Sequence, residues 1–580
     1  MKSHIYICCL ILLIFSRMTM ADRGLVPTTA NPGRIEKLLD KPRIPKSKPP
    51  KPVKRIKPVS VANSDKVSLV LNSVRIEGGT VYDESELAVL YTELLGQESS
   101  LSDVLSLAEK ITNFYRNDGY ILAQAIIPAD QELDPEGANL KVIILEGYID
   151  RIVYEDVGYE TGESGTLINN YLKKIPTTCK DENKVYTEGV RCPIHKDVLE
   201  RYLLLSQGLP GVNIETVLMP GDSPASANLY VTITEKLVDA YLSVDNRGTQ
   251  FVGPTQVWLG TKINSLFNAY TQSDFEFLGA ENGEVLLGKF SESLPLFDEG
   301  AFLKLSAVYS AGKLGGALKP LEIESSNVTI HSGIDYPIIR SRATNLSLYG
   351  GFTYRSQSSD SLGEAVTRDK LAVFDIGLSY DVADGLGGGG VSLVDFKLKQ
   401  GTGWFETGSV GHELASVENG NPNFTTLNLH LSRLQRIYDG LFFLVEGSGQ
   451  FAFNPLLVSE QFGYGGEQYG RGYDPSELLG DHGLAAKVEL QYSPDLPIEL
   501  PKSIQFYGFY DVGRVWYKHP LCGCIQALPT ESASSAGTGF RLNAFDWLSG
   551  NAEFSFPLDH IVAAEENSDW RFFFRVTARY

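Results

Sequence analysis

The sequence predicts a transmembrane antiparallel β-barrel of about sixteen strands, preceded by two small α+β units of order β-α-α-β-β. Three observations predict it. From Leu237 onward, apolar and polar residues alternate with a period of two. Between 66 and 236 the period is instead helical, set between short strands, and the same element order occurs twice. The last strand has Trp570, Phe572, Phe574, Val576, Ala578 and Tyr580 on one face and Arg571, Arg575 and Arg579 on the other. Three arginines on a lone strand suit a watery lumen, and residues 237–580 at roughly twenty per strand and connection give about sixteen strands.

Composition alone hides this class. The 580 residues carry a net charge of −20, 43% hydrophobic residues, 56 Gly, 28 Tyr and 28 Phe, and the mean hydropathy of −0.09 resembles that of a soluble protein. Barrel strands alternate lipid-facing and lumen-facing residues, so no window reads as strongly apolar. The acidic balance argues against general nucleic-acid binding.

Residues 1–21 read as an export signal, with Lys2, an apolar run from Ile5 to Phe15, and small residues before position 21. No later segment is long and apolar enough for a spanning helix, so a membrane protein with this sequence must cross with strands. In the zone 22–40, Asn31 to Leu39 forms a short helix with Ile35, Leu38 and Leu39 on one face. Residues 41–65 are a basic, proline-rich linker; eight Lys or Arg and no acid fall between Lys41 and Pro58, a composition that makes an extended spacer.

The first α+β unit spans 66–147. Val67–Ile76 is a strand, Glu84–Leu94 a helix, and Ser100–Arg116 a helix with Ser100 as N-cap, Leu101, Leu105, Ala108 and Ile111 inward, and Gly119 past its end. Strands at 120–127 and 139–145 complete it. The second unit, 148–236, repeats the order with a strand at 149–154, helices at 166–174 and 197–206, and strands at 212–219 and 228–234.

Cys8 and Cys9 leave with the signal, so Cys179, Cys192, Cys522 and Cys524 remain. In an oxidising compartment they suggest two disulfides. Cys179 and Cys192 would close a loop in the second unit, whereas Cys522-Gly523-Cys524 is a tight pair in a turn. A metal site is the alternative, disfavoured because no histidines converge on these thiols.

Within the barrel, Ala301, Leu303, Leu305, Ala307 and Tyr309 form one apolar face, Phe374, Ile376, Leu378 and Tyr380 another, and Leu484, Ala486, Val488, Leu490 and Tyr492 a third. A soluble sandwich packing such faces together is the competing architecture. One stretch stands apart. Gly463 to Asp474 reads G-Y-G-G-E-Q-Y-G-R-G-Y-D, with Arg471 in a glycine-rich loop, and Asp511 lies mid-strand in Phe509-Tyr510-Asp511-Val512-Gly513. If both face the barrel interior, the guanidinium fork can pair with the carboxylate; otherwise the stretch is a surface loop whose glycines permit turns. The sequence carries no Gly-x-Ser-x-Gly, no zinc-type histidine spacing and no phosphate loop, and so points to no catalytic residue, cofactor or metal.

The α+β units resemble POTRA domains in Val74-Arg75-Ile76-Glu77-Gly78, in Tyr115 through Ala123, in Leu145-Glu146-Gly147 and in Leu209-Pro210-Gly211-Val212. With the signal, helix, linker and barrel, nearly the whole chain resembles the two-partner secretion transporters of the POTRA plus β-barrel superfamily, the haemolysin/haemagglutinin secretion-activation proteins. The resemblance implies that Arg471-Gly472-Tyr473 tucks into the barrel and that Arg471 meets Asp511 within the Phe509, Asp511, Gly513 strand motif. Gly470 departs from the branched aliphatic usual before that arginine. The helix would be a removable plug with 41–58 as its leash, able to span roughly 50 Å at about 3.1 Å per residue.

The function implied is type V export without ATP. The domains at 66–236 would bind an unfolded partner carrying an N-terminal secretion domain, in the periplasm of a Gram-negative bacterium, and pass it through an outer-membrane barrel. The implied partners are that secreted protein, outer-membrane lipid and, through the strand ending at Tyr580, the barrel assembly machinery. An assembly factor that inserts other barrels is the alternative, and two POTRA-like units plus a plug-like helix count against it.

Overall fold

The computed structural model describes residues 34, 36–39, 43–48, 68–131, 134, 137–156, 165–177, 192–268, 270–404, 410, 412–495, 500–518 and 530–580. The expected export signal, Ile35, most of the linker, Cys179, Cys522 and Cys524 lie outside these residues.

In the first unit, β1 (Ser68–Glu77) pairs antiparallel with β2 (Glu98–Ser100) and parallel with β4 (Ala138–Leu145), which pairs with β3 (Gln124–Ile126). Helix α1 (Glu84–Ala88) is shorter than its apolar period suggests. The chain turns there because Leu95 bridges to Leu71 and Glu98–Ser100 adds to the edge of β1, so sheet pairing overrides helix propensity. Helix α2 (Leu101–Asn117) starts where expected, with Ser100 Oγ accepting from Asp103 N at 3.1 Å, and Gly119 follows it with φ +103. Its buried face is rotated from the expected one. Val104, Leu107, Ile111 and Tyr115 are fully buried, while Leu101 and Ala108 pack at the margin and Leu105 is only half-buried. The sheet covers the 104-107-111-115 stripe, a spacing that also satisfies a 3.6 period.

The second unit packs α3 (Gly165–Leu172) and α4 (Lys196–Gln207) on a sheet of order β5-β7-β6, formed by β5 (Tyr148–Asp156), β6 (Val212–Pro220) and β7 (Ser226–Glu235). It is tied to the first unit by His195, whose Nε2 lies 2.7 Å from Asp118 O, while Lys196 N donates to Gly119 O. On its other side, Lys174 and Arg201 reach Glu299, Arg201 also donates to Pro337 O and Ile338 O, and Glu200 accepts from Arg342 N. The turns at one end of the barrel therefore carry this unit.

The barrel closes through sixteen strands among the described residues, all pairs antiparallel, with Arg571–Arg579 returning to pair with Val238–Asp245. A closed sheet, not two stacked ones, is the outcome. Leu305, Tyr309, Phe374, Ile376, Leu378, Leu484, Leu490, Phe572 and Val576 lie on the outer face, open to lipid. The alternation is therefore the pattern of a wall between hydrocarbon and lumen.

Candidate functional site

The loop between Leu441–Ala452 and His482–Tyr492 folds inward as a hairpin whose strands, Phe462–Tyr464 and Leu478–Gly480, pair with each other. Its tip places Arg471 against the wall strand Ser503–Trp516, on which Tyr507, Phe509, Asp511, Gly513 and Val515 face inward and Tyr510 and Val512 outward. Asp511 Oδ2 accepts from Arg471 N and Nε, both at 3.0 Å, and from Gly470 N at 3.1 Å, while Oδ1 accepts from Arg471 Nη2 at 2.8 Å. The guanidinium carbon lies 3.5 Å from the centre of the Phe509 ring. Both charged groups are buried, so the pair stands on full hydrogen bonding and on the stacked ring.

Glu489, Glu553 and Arg247, which the sequence did not single out, complete the site together with Arg541 of the Gly537 to Arg541 strand motif. Arg471 Nη1 also donates to Glu489, and Glu553 lies 3.8 Å from it. Glu489 in turn holds Arg541 at 2.8 Å, and Glu553 holds Arg247 at 2.8 Å. Charges alternate around the arginine, so none of the three acids faces the low-dielectric interior unpaired. Glu489 is the cross-strand neighbour of Phe509, a relation set by register and invisible in the sequence.

Glycines make the aromatic seats. A Cβ on Gly537 would stand 2.5 Å from the Phe509 ring, one on Gly539 2.6 Å from the Tyr507 hydroxyl, and one on Gly513 2.1 Å from the Tyr464 ring. The Gly537 to Arg541 segment thus leaves room for the rings beneath Arg471 and Arg541. Tyr473 Oη donates to Ser534 O at 2.8 Å and Gly472 lies close against Ser535 and Pro557, which fixes the loop beyond the arginine. Gly470 has φ +77, and a Cβ there would meet the Tyr464 ring at 2.7 Å. Tyr464 occupies the space that a branched side chain at 470 would need.

The N-terminal segment shares the lumen. Glu36 accepts from Thr329 and Asn327, and Arg43 lies 3.0 Å from Asp335 and 3.5 Å from Asp395. The backbone amides of Lys46 and Ser47 both donate to Asp381 at 2.7 Å, and Lys48 N donates to Arg342 O. Arg34 and Lys37 both donate to Gln461 O, so residues 34 and 36–39 lie beside the inward hairpin, and 43–48 run along the wall toward the turn held by the second α+β unit. Where the helix was expected, the described residues are Arg34, in α-helical conformation, and a 3-10 turn at Glu36–Leu39.

Cys192 is disulfide-bonded, just before the start of α4. Among the described residues no group of three or more His, Cys, Asp or Glu is placed to hold a metal ion.

Comparison with known proteins places this architecture. Residues 230–523 match the family model described as haemolysin secretion/activation protein ShlB/FhaC/HecB. The chain belongs to this secretion/activation family. Residues 69–147 match a POTRA domain of ShlB type. Like its family, the protein is an outer-membrane transporter that acts in two-partner secretion with a secreted partner protein, its POTRA domains in the periplasm. The chain is similar to the heme/hemopexin transporter protein HuxB of Haemophilus influenzae, 26% identical over 499 residues, covering 84% of this chain and 83% of that one. It is also similar to the outer membrane transporter CdiB of Dickeya dadantii, 20% identical with 84% and 83% covered. Among solved structures, CdiB from Escherichia coli superposes with a TM-score of 0.71 at 18% identity, covering 97% of this chain and all of that one, and so shares the fold.

Proposed function

We propose that this transporter catches one unfolded partner by an N-terminal secretion domain on the POTRA units at 66–236 and threads it as an extended chain through the lumen. In this reading residues 22–40 are a plug, 41–65 its leash, and Arg471 with Asp511 a latch that fixes the inward loop. The observation that carries it is the course of residues 34, 36–39 and 43–48. The lumen already holds polypeptide between the hairpin and the periplasmic turn at Arg342, contacted through backbone amides as well as side chains. A passage that accommodates one segment in this way suits a translocating chain of unspecified side chains, because amide donors are common to every sequence except proline.

For capture, β6 is an open edge of its sheet and carries Val217, Leu218 and Met219 exposed. An edge of that kind accepts an added strand by main-chain hydrogen bonds. The strand ending at Tyr580 would present the barrel to the assembly machinery, and the outward apolar faces would contact outer-membrane lipid. The buried pair contributes placement of the loop more than net stability.

The test is co-expression with a candidate large exported partner protein carrying an N-terminal secretion domain, assaying the medium. Client in the medium that depends on this protein supports export. Client outside without this protein, together with loss of other barrels from the membrane, would instead favour an assembly factor.

A further inference from the structure

The inward hairpin touches the wall at its tip and the N-terminal segment at its base. At the base, Arg34 is buried: Nη1 donates to Gln461 O at 2.8 Å, and Nε and Nη2 donate to Ser476 Oγ at 3.1 and 2.9 Å. Gln461 and Ser476 stand on the two arms of the hairpin, and Gly463 lies between them in sequence on the first arm. A Cβ built on Gly463 would lie 1.9 Å from Arg34 Nη2 and 2.8 Å from Ser476 Oγ. The missing side chain is what admits the guanidinium. Lys37 Nζ donates to the same Gln461 O at 3.0 Å, and the wall residue Arg355 reaches both Glu36 and Glu460.

From these contacts we infer that Gly463, Ser476 and the Gln461 carbonyl form a guanidinium-binding notch for Arg34, through which the plug is seated on the latch hairpin and the two move as one gate. The inference rests on residues 22–40 acting as a plug. The notch offers a carbonyl and a hydroxyl, so its selectivity comes from the fork geometry of arginine, which spans both arms at once. Because one side chain cross-links both arms, withdrawal of the plug removes a support of the hairpin. Conversely, a shift of the hairpin opens the notch. The coupling is reciprocal, as any linkage between two binding equilibria must be.

The test is ion conductance of the full-length protein in planar bilayers, comparing Arg34→Ala, Gly463→Val, the double variant, and a variant lacking residues 31–48 as the open reference. The expected result is that the deletion and each single substitution raise the open fraction, the substitutions by about tenfold or more, the scale of losing one hydrogen bond to a charged group. Gly463→Val added to Arg34→Ala should raise it little further, since the guanidinium is the main obstacle and Ser476 Oγ, at 2.8 Å from the added Cβ, is free to rotate once Arg34 is gone. A general disturbance of the hairpin would add in the double variant, and additivity would overturn the notch. An open deletion variant with Gly463→Val closed like wild type would overturn the coupling while leaving the plug in place. A deletion variant that conducts no more than wild type would overturn plug and notch together. Should Gly463→Val not reach the membrane, Gly463→Ala carries the same comparison, because its one methyl group already falls 1.9 Å from Nη2.

Discussion

Arg471→Met tests the latch at its most loaded point. Asp511 is fully buried, and two of its four hydrogen bonds come from the Arg471 side chain. Among the described residues its salt bridges are to Arg471 alone, whereas Glu489 retains Arg541 and Glu553 retains Arg247. Methionine keeps most of the volume and removes the charge, leaving one carboxylate buried and unpaired. Breaking a buried pair from one side costs about 3–5 kcal/mol; about 4 kcal/mol is roughly a thousandfold in the ratio of seated to unseated loop. The assay is cross-linking of Glu467→Cys with Arg575→Cys by a short bifunctional maleimide, two positions that meet across the loop-to-wall contact when the loop is seated, run beside secretion of the partner. Cross-linking should collapse in Arg471→Met and return in large part in Arg471→Met with Asp511→Asn, since asparagine still accepts from the Gly470 and Arg471 amides. A double variant as defective as the single one would refute the unpaired charge as the cause, and an Arg471→Met protein that cross-links and secretes normally would refute the latch.

Three further outcomes are expected. Gly537→Val, whose Cβ would meet Phe554 O at 2.3 Å and the Phe509 ring at 2.5 Å, should shift both the neighbouring strand and the ring beneath Arg471, lowering loop seating in the same cross-linking assay while Gly508→Ala, where the nearest atom to an added Cβ is 3.9 Å away, leaves it unchanged. In the first POTRA unit, burial and then the charge of Glu146 push Tyr115 well above the ordinary phenol range. A folded value raised in this way means stability that is complete below about pH 10, the unfolded value, and lost as pH rises toward the folded one; Tyr115→Phe should flatten that alkaline loss in near-ultraviolet circular dichroism. Cys192→Ser should lower the stability of the second α+β unit by an amount on the scale of a disulfide, about 2–4 kcal/mol, measured by denaturant unfolding against wild type; under reducing conditions the difference should vanish.

The parts legible in the sequence are those with a repeating physical cause. A wall between lipid and water must alternate, and strands such as Phe374 to Tyr380 show it residue by residue; the glycine-rich loop and the buried Asp511 were visible because arginine and aspartate are costly inside a barrel unless they meet. What was not legible depends on register and on contacts distant in sequence. Glu489 sits opposite Phe509 only after two strands align, and nothing in the segment around Arg34 announces a seat more than four hundred residues away. The face of α2 was misplaced by one position of the helical period because Leu105 and Val104 are equally apolar and only the sheet chooses between them. The start of α1 at Glu84 was legible but its length was over-read, since Glu84–Leu94 keeps a helical period that edge pairing of Glu98–Ser100 then overrules.

Gly470 is where family pattern and local physics diverge, and the structure says how. Its φ of +77 is a left-handed conformation, and Tyr464 already fills the volume beside it. Gly470→Val therefore meets two obstacles at once, the ring at 2.7 Å and a backbone conformation that a β-branched residue adopts only at a cost of about 1–2 kcal/mol. The two separate experimentally. If crowding by Tyr464 dominates, Gly470→Val should unseat the loop and the added change Tyr464→Ala should restore most of the cross-linking. If the backbone dominates, the second change should restore little, and Gly470→Asn, which tolerates the left-handed region better, should be milder than Gly470→Ala despite its larger size. The contact at 2.7 Å falls on a ring held also by Gly513, where a Cβ would approach it to 2.1 Å. A ring wedged from both sides cannot swing away, so crowding should dominate and the Tyr464→Ala rescue is the expected result.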